Sequence, residues 1–141
     1  MSVYPTAGRR ELPKKQPKRL KTATEFGPIV KALVVNRSNG LCELDACGPI
    51  EEFHHRGARS VGGSTVAWVG GAANAFGVAA NCHLRIEGRL AGSSRAVSRE
   101  NGWLVSRNGR LRADEVPVLR RGETVLLADD GSVIPAPKEA A

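Results

Sequence analysis

The hydrophobic pattern begins with a helix in the first third of the chain. Its apolar residues recur every three or four positions and fall on one helical face: Phe26, Ile29, Val30, Leu33 and Val34. Thr24 can cap this helix, and Pro28 is tolerated in its first turn. Asn39 and Gly40 accept the left-handed conformation that ends helices. The pattern therefore predicts a short amphipathic helix that stops before this pair.

Shorter apolar segments follow, and they predict strands. Four segments have this character: residues 50–55, 103–105, 125–127 and 133–134. The turn sequence at residues 129–131 joins the last two as a hairpin, and the glycine-rich stretch 57–73 is predicted to be a loop. A second helix starts at Asn81, which can cap it, and a third follows a cap at Ser93 or Ser94. These elements predict an α+β fold.

The net charge of +7 is concentrated in residues 1–22. This segment has one acidic residue, Glu11, and seven basic ones: Arg9, Arg10, Lys14, Lys15, Lys18, Arg19 and Lys21. It also has three prolines and few apolar residues, so it cannot bury enough surface to offset the entropy of ordering. We therefore predict a flexible basic arm. It either captures nucleic-acid phosphates or serves as a solubilising terminus, and charge alone favours neither.

Length and composition are those of one small domain with flanking segments. The 141 residues divide into the arm at 1–22, a core at 23–92, an extension of helix and strands at 93–135, and a tail at 136–141. No apolar run is long enough to span a bilayer, and the basic N-terminus lacks the apolar block of a secretory signal. Three cysteines are too few for a disulfide framework. We expect a soluble, cytoplasmic protein with no membrane partner.

All cysteines and histidines of the chain lie between residues 41 and 87. Cys42 and Cys47 are separated by four residues and can supply two thiolates to a tetrahedral zinc, with Cys82 as a third. Because the chain has no fourth cysteine, the remaining position would fall to a histidine, a carboxylate or water. Buried free thiols without zinc explain Cys42 and Cys47 equally well.

The histidines form an adjacent pair and a third residue on a predicted helix. Side chains of adjacent strand residues point to opposite faces, so His54 and His55 need different roles. His83 and Glu87 are four residues apart on the helix, so both can reach one metal ion. Glu87 can equally be a solvated residue that pairs with a neighbouring arginine.

The glycine-rich loop after the histidine pair has two candidate phosphate contacts. Glycine allows the backbone to approach a phosphate closely, and Arg56 and Arg59 could add charge-assisted hydrogen bonds. A surface loop whose glycines only satisfy turn geometry is equally consistent with this composition.

Together these residues resemble the motif of the HNH endonuclease family, and most of all its small phage-encoded members. The resemblance rests on a set of residues and their order: His54–His55–Arg56, Arg59, Gly62–Gly63–Ser64, Asn74 and Cys82–His83, with Asn74 nine residues before His83. It is clearest over residues 30–87 and continues more weakly through residues 102–103 and 125–134.

The resemblance implies a ββα-metal fold, in which two antiparallel strands and a helix surround one divalent cation of the Mg, Mn, Zn or Ni type. It implies that His54 and His83 are metal ligands, with Glu87 as a candidate third. His55 matches the general base that activates water, and Asn74 matches the residue that orients the base or its loop. Residues 23–92 would then be the nuclease core.

One position departs from the family pattern. Family members commonly hold a structural zinc with two Cys-x-x-Cys pairs, whereas the residue three before Cys82 is Ala79. A site of four thiolates is excluded by count, which leaves a three-cysteine zinc site with another ligand, or no zinc.

We expect a metal-dependent endonuclease that hydrolyses DNA phosphodiester bonds, with DNA and phage packaging proteins as partners in a bacterial host cell. With only six aromatic residues, DNA binding should be phosphate-dominated and sensitive to salt. Two alternatives stay open. One is a non-catalytic, zinc-stabilised nucleic-acid-binding module, and the other is an assembly protein with a decayed nuclease site.

Overall fold

The computed structural model describes residues 26–58, 66–106 and 109–137. Within them the chain forms an α+β fold, as the sequence predicts, with three α-helices and two small antiparallel sheets. The predicted basic arm, Thr24, Arg59 and the 62–64 segment lie outside the described residues. No described helix is long and apolar enough to cross a membrane.

Helix α1 spans Pro28–Ser38, close to the predicted position. Its proline lies in the first turn, where a missing N–H costs nothing, and Asn39 ends it with a left-handed φ of 56°. Val34 is fully buried on the inner face. The predicted apolar face is wrong at Ile29, which is 78% exposed because it lies in the outer part of the first turn.

The first sheet pairs strand β1, Glu52–His55, with strand β2, Ala75–Val78. The strands are antiparallel, and His54 lies opposite Phe76 in their register. All four residues of β2 are buried. This sheet supplies the strand that carries the histidine pair.

Helix α2, Ala80–Ile86, follows β2 after a single residue. Ala79 is its N-terminal flanking residue, so the prediction that Asn81 caps it is wrong, and Asn81 lies inside the first turn. The predicted 57–73 loop is also more structured than expected, because 3-10 turns form at Ala67–Gly70 and Ala72–Asn74.

Helix α3 spans Arg95–Glu100, and the Ser94 hydroxyl accepts a hydrogen bond from the Val97 N–H, so its predicted serine cap is confirmed. A second sheet has the order β3 (Val118–Arg120), β4 (Glu123–Leu127), β5 (Val133–Pro135), which confirms the predicted hairpin.

The predicted strand at 103–105 is wrong. Trp103 and Leu104 are buried in the main core, and Val105 makes only an isolated bridge to Gly57. The backbone of residues 103–105 is irregular, although its apolar side chains pack into the core. A short apolar run of this kind has the same sequence pattern as a buried strand, which explains the wrong prediction.

Glu43 is a buried carboxylate that joins three parts of the fold. It accepts two hydrogen bonds from Arg37, at 2.7 and 2.9 Å, and one from Arg120 at 3.2 Å. The Gly77 N–H of β2 donates to it at 2.8 Å. These bonds connect α1, β2 and Arg120 to the residue that follows Cys42.

Candidate metal centre

His54 of β1 and His83 and Glu87 of the α2 region come together at one point. His54 Nδ1 lies 3.2 Å from His83 Nε2. Glu87 Oε1 lies 3.6 Å from His83 Nε2 and 3.9 Å from His54 Nδ1. One atom from each of the three residues therefore falls within 4.8 Å of the others, a spacing at which they could hold one metal ion.

Two outer hydrogen bonds fix the protons on these imidazoles. His54 Nε2 lies 2.7 Å from the Trp103 carbonyl oxygen, which can only accept, so this nitrogen carries the proton. His83 Nδ1 lies within hydrogen-bond distance of the Glu52 carboxylate and donates to it in the same way. In this tautomer the nitrogens that face each other, His54 Nδ1 and His83 Nε2, each offer a lone pair.

Because two bare lone pairs at 3.2 Å repel each other, this separation suits either a metal ion or a shared proton between the two nitrogens. If a metal ion lay at about 2.0–2.1 Å from each nitrogen, this separation would give an N–metal–N angle of roughly 100°, which suits tetrahedral or octahedral coordination. Burial lowers the pKa of His54 to about 4, so this ring is neutral and ready to coordinate at neutral pH. The outer partners Glu52 and Trp103 were not identified from the sequence.

His55 lies on the other side of the strand from His54. Its ring stacks on Phe26, with ring centroids 3.8 Å apart and planes inclined by 12°, and it is partly exposed. It is not among the three residues of the metal group. The two adjacent histidines therefore have different surroundings, as strand alternation predicts.

Asn74 is fully buried and holds the end of β1 in place. Its side-chain oxygen accepts from the Gly57 N–H at 2.6 Å, and its amide donates to the Gly57 carbonyl at 3.1 Å and the Val69 carbonyl at 2.7 Å. Gly57 is two residues after His55. Asn74 thus fixes the backbone two residues after the histidine pair.

Arg56 contradicts the prediction that it contacts phosphate. Its side chain is fully buried, and its guanidinium donates four hydrogen bonds to the carbonyl oxygens of Ala73, Gly102, Ala113 and Val116, at 2.8–3.0 Å. Burial lowers the pKa of Arg56 to about 9, which leaves it charged at neutral pH. By strand alternation Arg56 points to the same side as His54, a signal that the sequence contained.

A second group brings the three cysteines together with Asp45. One atom from each of Cys42, Asp45, Cys47 and Cys82 lies within 4.8 Å of the others. The Cys47 and Cys82 sulfurs are 3.5 Å apart, as are the Cys82 sulfur and an Asp45 oxygen. Burial raises the pKa of the Cys82 thiol, and its hydrogen bond with Cys47 adds to the shift. Asp45 supplies the carboxylate that the sequence left unidentified.

The first group opens into a cleft, whereas the second lies at a tight loop. The cleft has a volume of about 330 Å³ and is lined by Glu52, His83, Leu84, Glu87 and Arg89. A metal ion held by three protein ligands beside such an opening keeps positions for water or substrate.

No family model matches the chain, and comparisons with curated proteins and with solved structures also find no match. We therefore infer a function from the chemistry of the two side-chain groups and from the resemblance of the motif.

Proposed function

We propose that the protein is a metal-dependent endonuclease that hydrolyses DNA phosphodiester bonds. The observation that carries the proposal is the pair of imidazole nitrogens, His54 Nδ1 and His83 Nε2, that face each other at 3.2 Å beside Glu87 and an open cleft. In this proposal β1, β2 and α2 form the ββα-metal core that the motif resemblance implies.

His54, His83 and Glu87 would hold the cation. When bound, a divalent ion stabilises the charge that develops on a phosphate during hydrolysis. Two imidazoles and one carboxylate suit zinc, nickel or manganese better than magnesium, which favours oxygen ligands. Glu52 and the Trp103 carbonyl keep the two rings in the coordinating tautomer.

His55 would act as the general base. A base must keep a ring nitrogen for water, and both nitrogens of His54 have other roles, at the carbonyl of Trp103 and at the metal. His55 lies outside the metal group, is partly exposed, and is held flat against Phe26. It would remove a proton from the attacking water, while Asn74 fixes the backbone that carries it.

DNA is the proposed substrate because the chain's excess positive charge lies in residues 1–22, and phosphate contacts give affinity without reading sequence. Processing or packaging of phage DNA remains the biological role that the motif suggests.

Structural zinc at Cys42, Asp45, Cys47 and Cys82 is a further part of the proposal, since four donors within 4.8 Å match a closed tetrahedral site.

The test is a plasmid-cleavage assay with a panel of divalent ions, with metal content measured on the same preparation. We expect nicking that EDTA stops. His55→Ala should abolish turnover and keep the metal ion of the histidine group, whereas His83→Ala should lose both turnover and that ion. If His55→Ala cuts as fast as the parent, His55 is not the base. DNA binding without cleavage under any ion would favour the zinc-stabilised binding module instead.

A further inference from the structure

Arg89 lies at the cleft of the metal centre. It is exposed and lines the same opening as His83 and Glu87. Gly88 has a left-handed φ of 72°, which turns the chain directly after Glu87, and the Arg89 N–H donates to the Leu84 carbonyl at 2.9 Å. The backbone of Arg89 is therefore fixed next to the last candidate ligand.

Most arginines in the described ranges already have a partner for the side chain. Those with a hydrogen-bonding, ionic or ring partner are Arg37, Arg56, Arg85, Arg95, Arg112, Arg120 and Arg121. Arg89, Arg99 and Arg110 make no side-chain hydrogen bond or ion pair with another described residue. Of these three, only Arg89 lines the cleft of the metal group.

The two carboxylates of the cleft already have partners other than Arg89. Glu52 accepts from His83, and Glu87 accepts from Arg95 at 3.0 Å while its other oxygen faces the imidazoles. Arg89 is thus a cation in the cleft whose charge these carboxylates do not take up. A divalent ion at the centre would add further positive charge, so the cleft favours an anion.

We propose that Arg89 binds a non-bridging oxygen of the phosphodiester group that lies at the metal centre. This inference rests on the proposed function, which it extends by naming the residue that recognises the substrate's phosphate. A guanidinium offers paired donors that match two oxygens of one phosphate, and such charge-assisted bonds are stronger than neutral ones.

The test compares Arg89→Ala with Arg99→Ala in the full-length, metal-loaded protein. Both substitutions remove one exposed arginine without an ion pair, so they change the overall charge equally. The substrate is bis(p-nitrophenyl) phosphate, which offers a single phosphodiester group and so tests the phosphate contact at the cleft without the further phosphates of a DNA strand. We expect kcat/KM to fall about 10- to 100-fold in Arg89→Ala, to stay near the parent value in Arg99→Ala, and to recover partly in Arg89→Lys.

A second readout does not depend on turnover. Titration of inorganic phosphate into the metal-loaded protein should show about tenfold weaker binding in Arg89→Ala and no change in Arg99→Ala, with the metal content equal in all variants. If the parent cleaves and Arg89→Ala matches Arg99→Ala in both measurements, the inference is wrong and the nuclease proposal stands. If nothing cleaves but phosphate binding drops only in Arg89→Ala, the nuclease proposal fails and the phosphate site stands.

Discussion

His54 shows how a single side chain acquires a role from its two neighbours. Its Nε2 donates to a carbonyl at 2.7 Å, which leaves Nδ1 as a lone pair directed at His83. Burial disfavours the charged ring and lowers the pKa to about 4, even though the hydrogen bond to Trp103 opposes this shift. The same environment that prepares His54 for a metal makes the metal-free protein sensitive to acid.

The metal-free protein should lose stability as the pH falls from 6.5 to 4. The pKa of His54 is about 4 in the folded state against an ordinary value of 6.5, so in this window the unfolded state binds more protons. Stability therefore rises with pH across the window, and the full contribution is about 3 kcal/mol. Urea unfolding of metal-free protein at several pH values measures it.

His54→Gln provides the control for this pH dependence. Glutamine does not titrate, so the variant should show a flatter profile between pH 4 and 6.5 than the parent. Equal slopes in the two proteins would contradict the assignment of the acid sensitivity to His54.

Sequence reasoning succeeded at single residues where a local rule applied. Strand alternation separates His54 from His55, and helical spacing brings His83 and Glu87 together. It could not identify the Trp103 carbonyl, which is 49 residues from His54 and acts through the backbone rather than through a side chain. The prediction for Arg56 was wrong because it rested on the positive charge alone. It did not take into account that residue 56 points to the same side of the strand as His54.

At the scale of elements, α2 belongs to both candidate metal groups. Cys82 contributes to the cysteine group and His83 to the histidine group, so adjacent residues of one short helix belong to two candidate groups. A helix of 7 residues has little stability of its own. Zinc at the cysteine group would therefore fix the helix that carries His83.

We expect one tightly held zinc per chain at the cysteine group, and we expect it to depend on Asp45 and Cys82. Asp45→Ala or Cys82→Ser removes a ligand, so zinc should be lost to a chelator and the free energy of unfolding should fall by roughly 4 kcal/mol or more. Elemental analysis after chelation and thermal unfolding measure the two effects.

Asp114→Ala is the matched control for Asp45→Ala. Asp114 forms an ion pair with Arg112 at the surface, an interaction that contributes little to stability. Zinc retained by Asp45→Ala as firmly as by Asp114→Ala would show that the cysteines do not need this carboxylate.

The sequence predicted elements well where their ends have a chemical signal. Ser94 caps α3, and Asn39 ends α1. Strand β3 was missed because Val118 to Arg120 gains its conformation by pairing with β4, beyond a turn in which Arg121 has a φ of 49°. Pairing between strands is a tertiary effect that a local pattern does not record.

At the scale of the whole molecule, the C-terminal extension contacts the candidate metal centre from outside. The Gly102 carbonyl accepts from Arg56 at 2.8 Å, and the next carbonyl, that of Trp103, accepts from His54 at 2.7 Å. The Trp103 indole in turn donates to the Leu119 carbonyl at 2.7 Å. A substitution that displaces the backbone of residues 102–103 should therefore also displace the His54 ring.

Arg56→Met should weaken both the fold and the metal centre. Methionine fills a similar volume but leaves four carbonyl oxygens without these donors, so we expect the free energy of unfolding to fall by about 3–5 kcal/mol. Metal affinity should fall with it, because the 102–103 backbone also holds His54. Arg112→Met, at an exposed ion pair, should change stability by less than about 1 kcal/mol.

Three measurements on Arg56→Met separate the structural role of Arg56 from the phosphate contact that the sequence predicted. They are denaturant unfolding, metal titration, and DNA binding at several salt concentrations. If Arg56 bound a phosphate, replacing it would lower the DNA affinity and the salt dependence of binding and would leave the stability unchanged. If Arg56 is a buried structural residue, replacing it should lower the stability and leave the DNA affinity and its salt dependence unchanged. The reason is that the buried guanidinium has no exposed surface to offer a phosphate. Unchanged stability together with weaker DNA binding in Arg56→Met would therefore overturn the structural role and restore the phosphate contact.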